Sequence, residues 1–231
     1  MKDIEWHHLK ADQIISRLQS NSQSGLSLDA VQQLRDQYGS NVLTATRGRS
    51  GLVRFLLQFH QPLIYILIVS GCVTALLQEW VDSGVIFGVV LVNGIIGYIQ
   101  EARAENALAA LADTMVAEAL VIRDSIKERI PSTELVPGDI VLLSAGDRVP
   151  ADLRILLCRD LQIDESALTG ESLPVEKYVH TLERDTELAE RNNMAYTSTL
   201  VTYGQETAIV TETGDRTEVG RISQSTGGRP R

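Results

Sequence analysis

The sequence predicts an α+β membrane protein. A small N-terminal helical segment comes first, then a two-helix transmembrane hairpin that runs on into a stalk, then a β-rich, jelly-roll-like domain. Three observations predict this. Two long stretches carry no Asp, Glu, Lys or Arg; a run of strong helix formers follows the second; and beyond it the pattern shifts to short apolar runs between Gly and Pro turns. The chain has 231 residues and a formal net charge of -9. Its mean hydropathy of zero conceals an almost wholly apolar stretch, about 55 to 99, inside a strongly polar remainder. The acid excess therefore belongs to the water-soluble part and argues against a nucleic-acid partner. Cys72 in an apolar run and Cys158 in a predicted strand read as buried thiols of a reducing compartment, not as a disulfide framework. The charged opening, with Trp6, His7 and His8, is unlike a cleavable signal peptide.

The expected divisions are a helical region at 1–46, the hairpin and stalk at 52–112, the β-rich domain at 113–223, and an atypical tail at 224–231. Within the first, residues 12–18 and 28–38 read as short helices. Ser27 is placed to cap the second, Asp29 suits its first turn and Gly39 its C-terminal end. Leu28, Val31, Leu34 and Tyr38 fall near one face. Adjacent histidines without further ligands are surface residues by default, so no metal role is expected of His7 and His8. A Gly/Ser/Arg linker spans residues 44–51.

Residues 55–78 form a charge-free gap of about 24 residues, above the roughly 20 needed to cross a bilayer. The second gap, 83–100, is about 18 residues, at the lower limit. Gly88, Gly94 and Gly97 would let a neighbouring helix approach closely, and Pro62 is placed to kink or break the first helix. Arg47, Arg49 and Arg54 precede the first span and Arg103 follows the second, whereas the linker between them holds only the acids Glu79 and Asp82. The positive-inside rule then puts both termini in the cytoplasm of a multi-pass cell-membrane protein, with Trp80 as an interfacial anchor. Residues 101–112 continue the second helix as a stalk.

After the stalk, 119–123, 140–143 and 153–158 read as strands, with turns at Asp124-Ser125, Pro137-Gly138-Asp139 and Gly146-Asp147. Residues 194–202 and 206–213 read as a hairpin around Tyr203-Gly204-Gln205. Short strands separated by such turns favour a compact sandwich or jelly roll.

The candidate site is Leu168-Thr169-Gly170-Glu171-Ser172-Leu173-Pro174. A Thr-Gly pair lets the backbone turn sharply and puts one carboxylate, Glu171, at the tip, while Ser172 and Pro174 stiffen the exit. That is a means of offering a single acid to something outside its own domain. Asp164 and Glu165 are tempting as an acid/base pair, but neighbours in a strand point to opposite sides, which gives them a structural role.

Several ordered signatures resemble the actuator domain of P-type ATPases: Val136-Pro137-Gly138-Asp139-Ile140-Val141, Gly146-Asp147-Arg148-Val149-Pro150-Ala151-Asp152, the run from Ile163 to Ser172, and the run from Thr213 to Ile222. The opening Trp6-His7-His8-Leu9, with Gly25-Leu26-Ser27 and Tyr38-Gly39-Ser40-Asn41, is similar to the N-terminal region of the type II cation pumps, the calcium and sodium/potassium group. The resemblance covers about Trp6 to Ser223 and implies a mechanism. ATP phosphorylates an aspartate in a separate domain, the actuator rotates, and its loop reaches the aspartyl phosphate. By position, Glu171 would orient and deprotonate the attacking water, Thr169 and Gly170 would shape the loop, and Ser172 would either cap the turn or contact the partner domain. ATP and Mg2+ are implied for an intact family member, with no cofactor and no metal held by this chain. Its implied partners are the lipid bilayer, the phosphorylation and nucleotide domains, the remaining transmembrane helices, and the transported cation.

The chain contains no Asp-Lys-Thr-Gly phosphorylation motif, and Thr226-Gly227-Gly228-Arg229-Pro230-Arg231 differs from the continuation the family implies. Alone it is expected neither to hydrolyse ATP nor to pump ions, as a truncated product would behave. The alternatives are a membrane-anchored interaction module and a non-functional truncated gene product.

Overall fold

A computed structural model describes residues 4–44, 51–114, 117–170 and 173–227. Along the chain come α1 (Ala11–Arg17), α2 (Leu28–Tyr38), α3 (Gly51–Leu57), α4 (Pro62–Leu76), α5 (Trp80–Thr114), β1 (Glu118–Arg123), β2 (Ile126–Pro131), β3 (Ile140–Ser144), β4 (Asp152–Asp164), α6 (Ser166–Thr169), β5 (Val175–Glu176), β6 (Met194–Ala195), β7 (Leu200–Glu212) and α7 (Glu218–Gly227). They fall into two compact units, residues 1–46 with 116–231, and residues 47–115.

In the first unit the described strands share one antiparallel network in the order β2-β1-β3-β7-β4-β5, with β6 on β4. The β-rich expectation holds, but the strands form a single hydrogen-bonded sheet instead of two. Its centre is buried on both faces, which is why its strands read as continuous apolar runs. Ala119, Val121, Val141, Leu143, Ala208 and Val210 pack into one cluster, whereas the intervening Ile122, Ile140 and Ile209 pack into another with Trp6 and Ile14. The N-terminal segment therefore covers one face of the sheet. Each fully buried Val, Leu or Ile in these layers contributes about 1.5–3 kcal/mol.

The caps form as expected: Ser27 Oγ accepts from Ala30 N, and Gly39, at φ 77°, donates to Arg35 O. The buried face of α2 differs. Val31 and the partly buried Ala30 and Leu34 make it, packed with Leu26 and Val136, while Leu28 is 62% exposed because it starts the helix on the outer side. His7 is also not a surface residue. It is 1% exposed, and its Nε2 lies 2.9 Å from Arg184 O, a partner far along the chain. Cys72 is exposed and Cys158 half-buried, so neither is the fully buried thiol expected.

The expected hairpin at 203–205 is absent. β7 runs unbroken through it and pairs with β4 across several register shifts. Gly204 (φ 82°) serves a bulge, not a turn: a Cβ there would lie 2.4 Å from Arg159 O and Asp160 O.

The second unit is helical. α3 ends at Leu57, and Pro62 occupies the first turn of α4, so the first apolar stretch is broken where proline predicted. α4 is apolar but has 15 residues, a rise of about 22 Å. α5 begins at Trp80, inside the expected linker, and continues through the stalk without interruption for 35 residues. Its part from Trp80 to Ala104 is long and apolar enough to cross a membrane. Close approach occurs at Gly71, which meets Phe87 and Ile86 of α5, and at Gly94 and Gly97, which meet Phe59 and Gln58; nothing lies near Gly88. Ser83 Oγ donates to Gly71 O at 2.9 Å, and Gln58 Nε2 to Glu101 Oε2. Most apolar side chains here face outward, among them Ile66, Val69, Leu76, Val85 and Val92.

Candidate functional site

The loop between β4 and β5 stands on a paired base. Ile163 is opposite Val175 and Gln162 opposite Glu176, and Lys177 N donates to Leu161 O at 3.0 Å. Asp164, the last residue of β4, turns outward and accepts from Ser166 N at 3.0 Å; hydrogen bonds from Ser166 hold its carboxyl below the usual range. Glu165 turns inward and is 1% exposed. The two neighbours therefore do point apart, as strand geometry dictates.

From Glu165 the chain makes one turn of helix. Leu168 N and Thr169 N both donate to Glu165 O at 2.9 Å, and Thr169 Oγ1 donates to the same carbonyl at 3.1 Å. Gly170 ends the turn at φ 79°, with its N–H on Ser166 O. Among the described residues, apart from its chain neighbours, no atom lies within 4 Å of the position a Cβ would take, so glycine is needed here for its backbone angle. Thr169 and Gly170 thus form and end this turn. Glu171 and Ser172 lie outside the described residues.

Beneath the loop is a group of charges that the sequence reading did not single out. Lys177 Nζ lies 2.6 Å from Glu165 Oε1, both side chains being buried. The ammonium is also 6.0 Å from the centre of the Tyr196 ring. Burial pushes the Glu165 carboxyl up and the Lys177 ammonium down, and each partner offsets the shift of the other. Glu206 of β7 is 4% exposed, and burial raises it to about 8, with Lys177 opposing and Glu165 reinforcing that rise. One signal was available: with Val175 facing in and Glu176 out, the alternation of an extended chain carries Lys177 inward.

Other signature residues brace the same unit. Arg123 grips buried Asp139 through Nε at 2.9 Å and Nη2 at 2.7 Å, and Val136 N donates to Asp139 Oδ2, which fixes the Pro-Gly-Asp turn. Asp152 accepts from Thr197 N and Glu218 N, tying the start of α7 to β4; burial raises its carboxyl to about 7. Asn41 donates to Ser132 O and Pro150 O and accepts from Gly214 N, and Asp215 Oδ1 accepts from Thr44 N at 2.7 Å. Among the described residues no group of three His, Cys, Asp or Glu side chains is placed to hold a metal ion.

Residues 113–227 match the family model of the P-type ATPase actuator domain, and residues 6–74 match that of the cation transporter/ATPase N-terminus. The cation-transporting ATPase pma1 of Synechocystis is 54% identical over 219 residues, covering 95% of this chain and 24% of that protein. A probable cation-transporting ATPase F of Mycobacterium tuberculosis is 48% identical over 221 residues, covering 96% of this chain and 24% of that protein. The calcium-transporting ATPase 1 of Bacillus cereus is 40% identical over 223 residues, covering 94% and 25%. The chain therefore spans about a quarter of the length of these relatives. With its N-terminal and actuator segments matched in order, this chain belongs to the cation-transporting P-type ATPase family.

Proposed function

We propose that this chain supplies the N-terminal and actuator parts of an ATP-driven cation pump, and that Glu171 promotes loss of the phosphoryl group from a phosphorylated aspartate held in another domain. The observation that carries this reading is the loop itself: a paired base, one helical turn, and a left-handed Gly170 immediately before Glu171. In the step proposed, Glu171 accepts a proton from water while the water oxygen bonds to phosphorus. The phosphorus–oxygen bond to the aspartate breaks, and inorganic phosphate leaves. A carboxylate in this role needs position more than a large pKa shift. ATP and Mg2+ would act in the phosphorylation and nucleotide domains, and the cation would be carried largely by transmembrane helices beyond this chain.

On this reading α4 and α5 are the first two membrane spans. Their outward apolar side chains support it. α4 is shorter than the roughly 30 Å hydrocarbon layer, so the chain around residues 55–61 completes the first crossing. Arg54 and Arg103 flank the cytoplasmic side and Glu79 and Asp82 the opposite one, leaving both termini cytoplasmic. The α5 stalk would carry actuator rotation into the membrane.

The test uses a complete relative in which residues 6–223 of this chain replace the matching segment. Glu171→Gln should leave phosphorylation by ATP intact and slow phosphoenzyme decay by about 10²–10⁴-fold, the usual worth of a general base. Decay at the wild-type rate would remove Glu171 from the role.

A further inference from the structure

The geometry points to the buried Glu165–Lys177 pair as a positioning clamp that fixes the helical turn Ser166–Gly170, from which, on the function proposed above, the acid at 171 is offered. The inference rests on the function proposed above and adds to it two residues that need touch neither water nor phosphate.

Glu165 and Lys177 sit on the two legs of the loop. Glu165 is the residue from whose carbonyl the helical turn hangs, through Leu168 N, Thr169 N and Thr169 Oγ1. Lys177 belongs to the returning leg, where its own N–H is fixed to Leu161 O. The 2.6 Å contact therefore crosses from one leg to the other beneath the turn. Any displacement of Glu165 moves the carbonyl that sets Thr169, and with it Gly170. The β4–β5 ladder closes the base in register but has only two paired positions. The side-chain pair supplies a second, non-parallel constraint.

Stability alone does not explain the pair. Two charges taken out of water lose hydration that their attraction barely repays, and apolar residues of similar volume commonly do as well or better. Nor is the site economical, since Glu206 places a second buried carboxyl near the same ammonium with neither oxygen hydrogen-bonded. What a directed pair adds over an apolar one is a fixed location for both ends. A carboxylate that must meet water at a defined angle gains from that, because a misplacement of about 1 Å costs on the order of 10²-fold in rate.

The experiment compares wild type, Glu171→Gln, Lys177→Met and the double variant Glu165→Leu/Lys177→Met in the complete pump carrying residues 6–223 of this chain. Lys177→Met leaves Glu165 buried without its partner and is open to misfolding. The double variant removes both charges of the pair, leaves only the Glu206 carboxyl that burial already holds toward its neutral form, and is the decisive one. Expected for it are a urea unfolding midpoint of the β unit at or above wild type, unchanged phosphorylation by ATP, phosphoenzyme decay slowed about 10²-fold, and faster hydrogen exchange at Thr169 and Gly170. A double variant that unfolds assigns the pair to stability and overturns the clamp. One that folds and decays at the wild-type rate overturns it too. Glu171→Gln separates the two levels: if it stalls decay while the double variant does not, the clamp alone fails, and if it does not stall, the parent reading fails with it.

Discussion

Leu157 and Val92 are both exposed apolar side chains, at 68% and 53%, yet they stand in different company. Leu157 is a lone apolar residue on a β strand whose neighbours Ile155, Leu153 and Ile163 are fully buried. Val92 lies on a helix where Val85, Val89, Leu91, Ile95, Ile96 and Ile99 are exposed with it. A single exposed Leu is ordinary for a protein in water, but a whole apolar helix surface is not. The β unit buries its apolar side chains on both faces of the sheet, one of them beneath the N-terminal segment, while the helical unit displays them. On the function proposed above, the first is built for water and the second for lipid, and the same substitution should mean different things in each.

The largest expected effect is in the β core. Ile155→Ala, at a fully buried position, should lower the stability of that unit by about 2–5 kcal/mol. Urea unfolding followed by the fluorescence of buried Trp6, in a Trp80→Phe background, reads it. Next comes the matched pair. Val92→Arg should cost about 2.5–3.5 kcal/mol of membrane insertion, read as the fraction of chain resisting extraction by alkaline carbonate. Leu157→Arg should shift urea stability by no more than about 0.5 kcal/mol. Equal costs at the two positions would erase the distinction between the units.

A further effect concerns pH. Burial raises Glu206 to about 8 and Asp152 to about 7, so the folded β unit holds protons that the unfolded chain has released. Stability should therefore fall as pH rises from the unfolded carboxyl range toward those values, by at most about 1.4 kcal/mol per pH unit for each proton. Glu165 is raised in the same sense, and Lys177, lowered by burial, acts in the opposite sense. Glu206→Gln should flatten the slope between about pH 5.5 and 6.5. An unchanged slope would mean that Glu206 is already ionised in the fold.

Local chemistry was legible from the sequence and long-range pairing was not. The Ser27 and Gly39 caps, the Pro62 break, the Asp124-Ser125 turn and the continuous stalk are decided within a few residues, and each appears where expected. Gly204 misled because a left-handed glycine serves a bulge as well as a turn, and only the partner strand decides between them. His7 was misplaced because its partner, Arg184 O, lies far along the chain. In the loop, the left-handed Gly170 was readable as a turn residue. The Glu165–Lys177 contact was hidden because strand pairing brings its two halves together.

The central claim is a water-built actuator carried on lipid-built helices, and sealed cells making this chain test it most directly. Protease added from outside should cut at most near residues 78–82, and the β unit should become sensitive only when the membrane is opened. Cleavage at Arg148 or Arg184 from outside, or recovery of the whole chain as a monodisperse species in detergent-free buffer, would contradict the account.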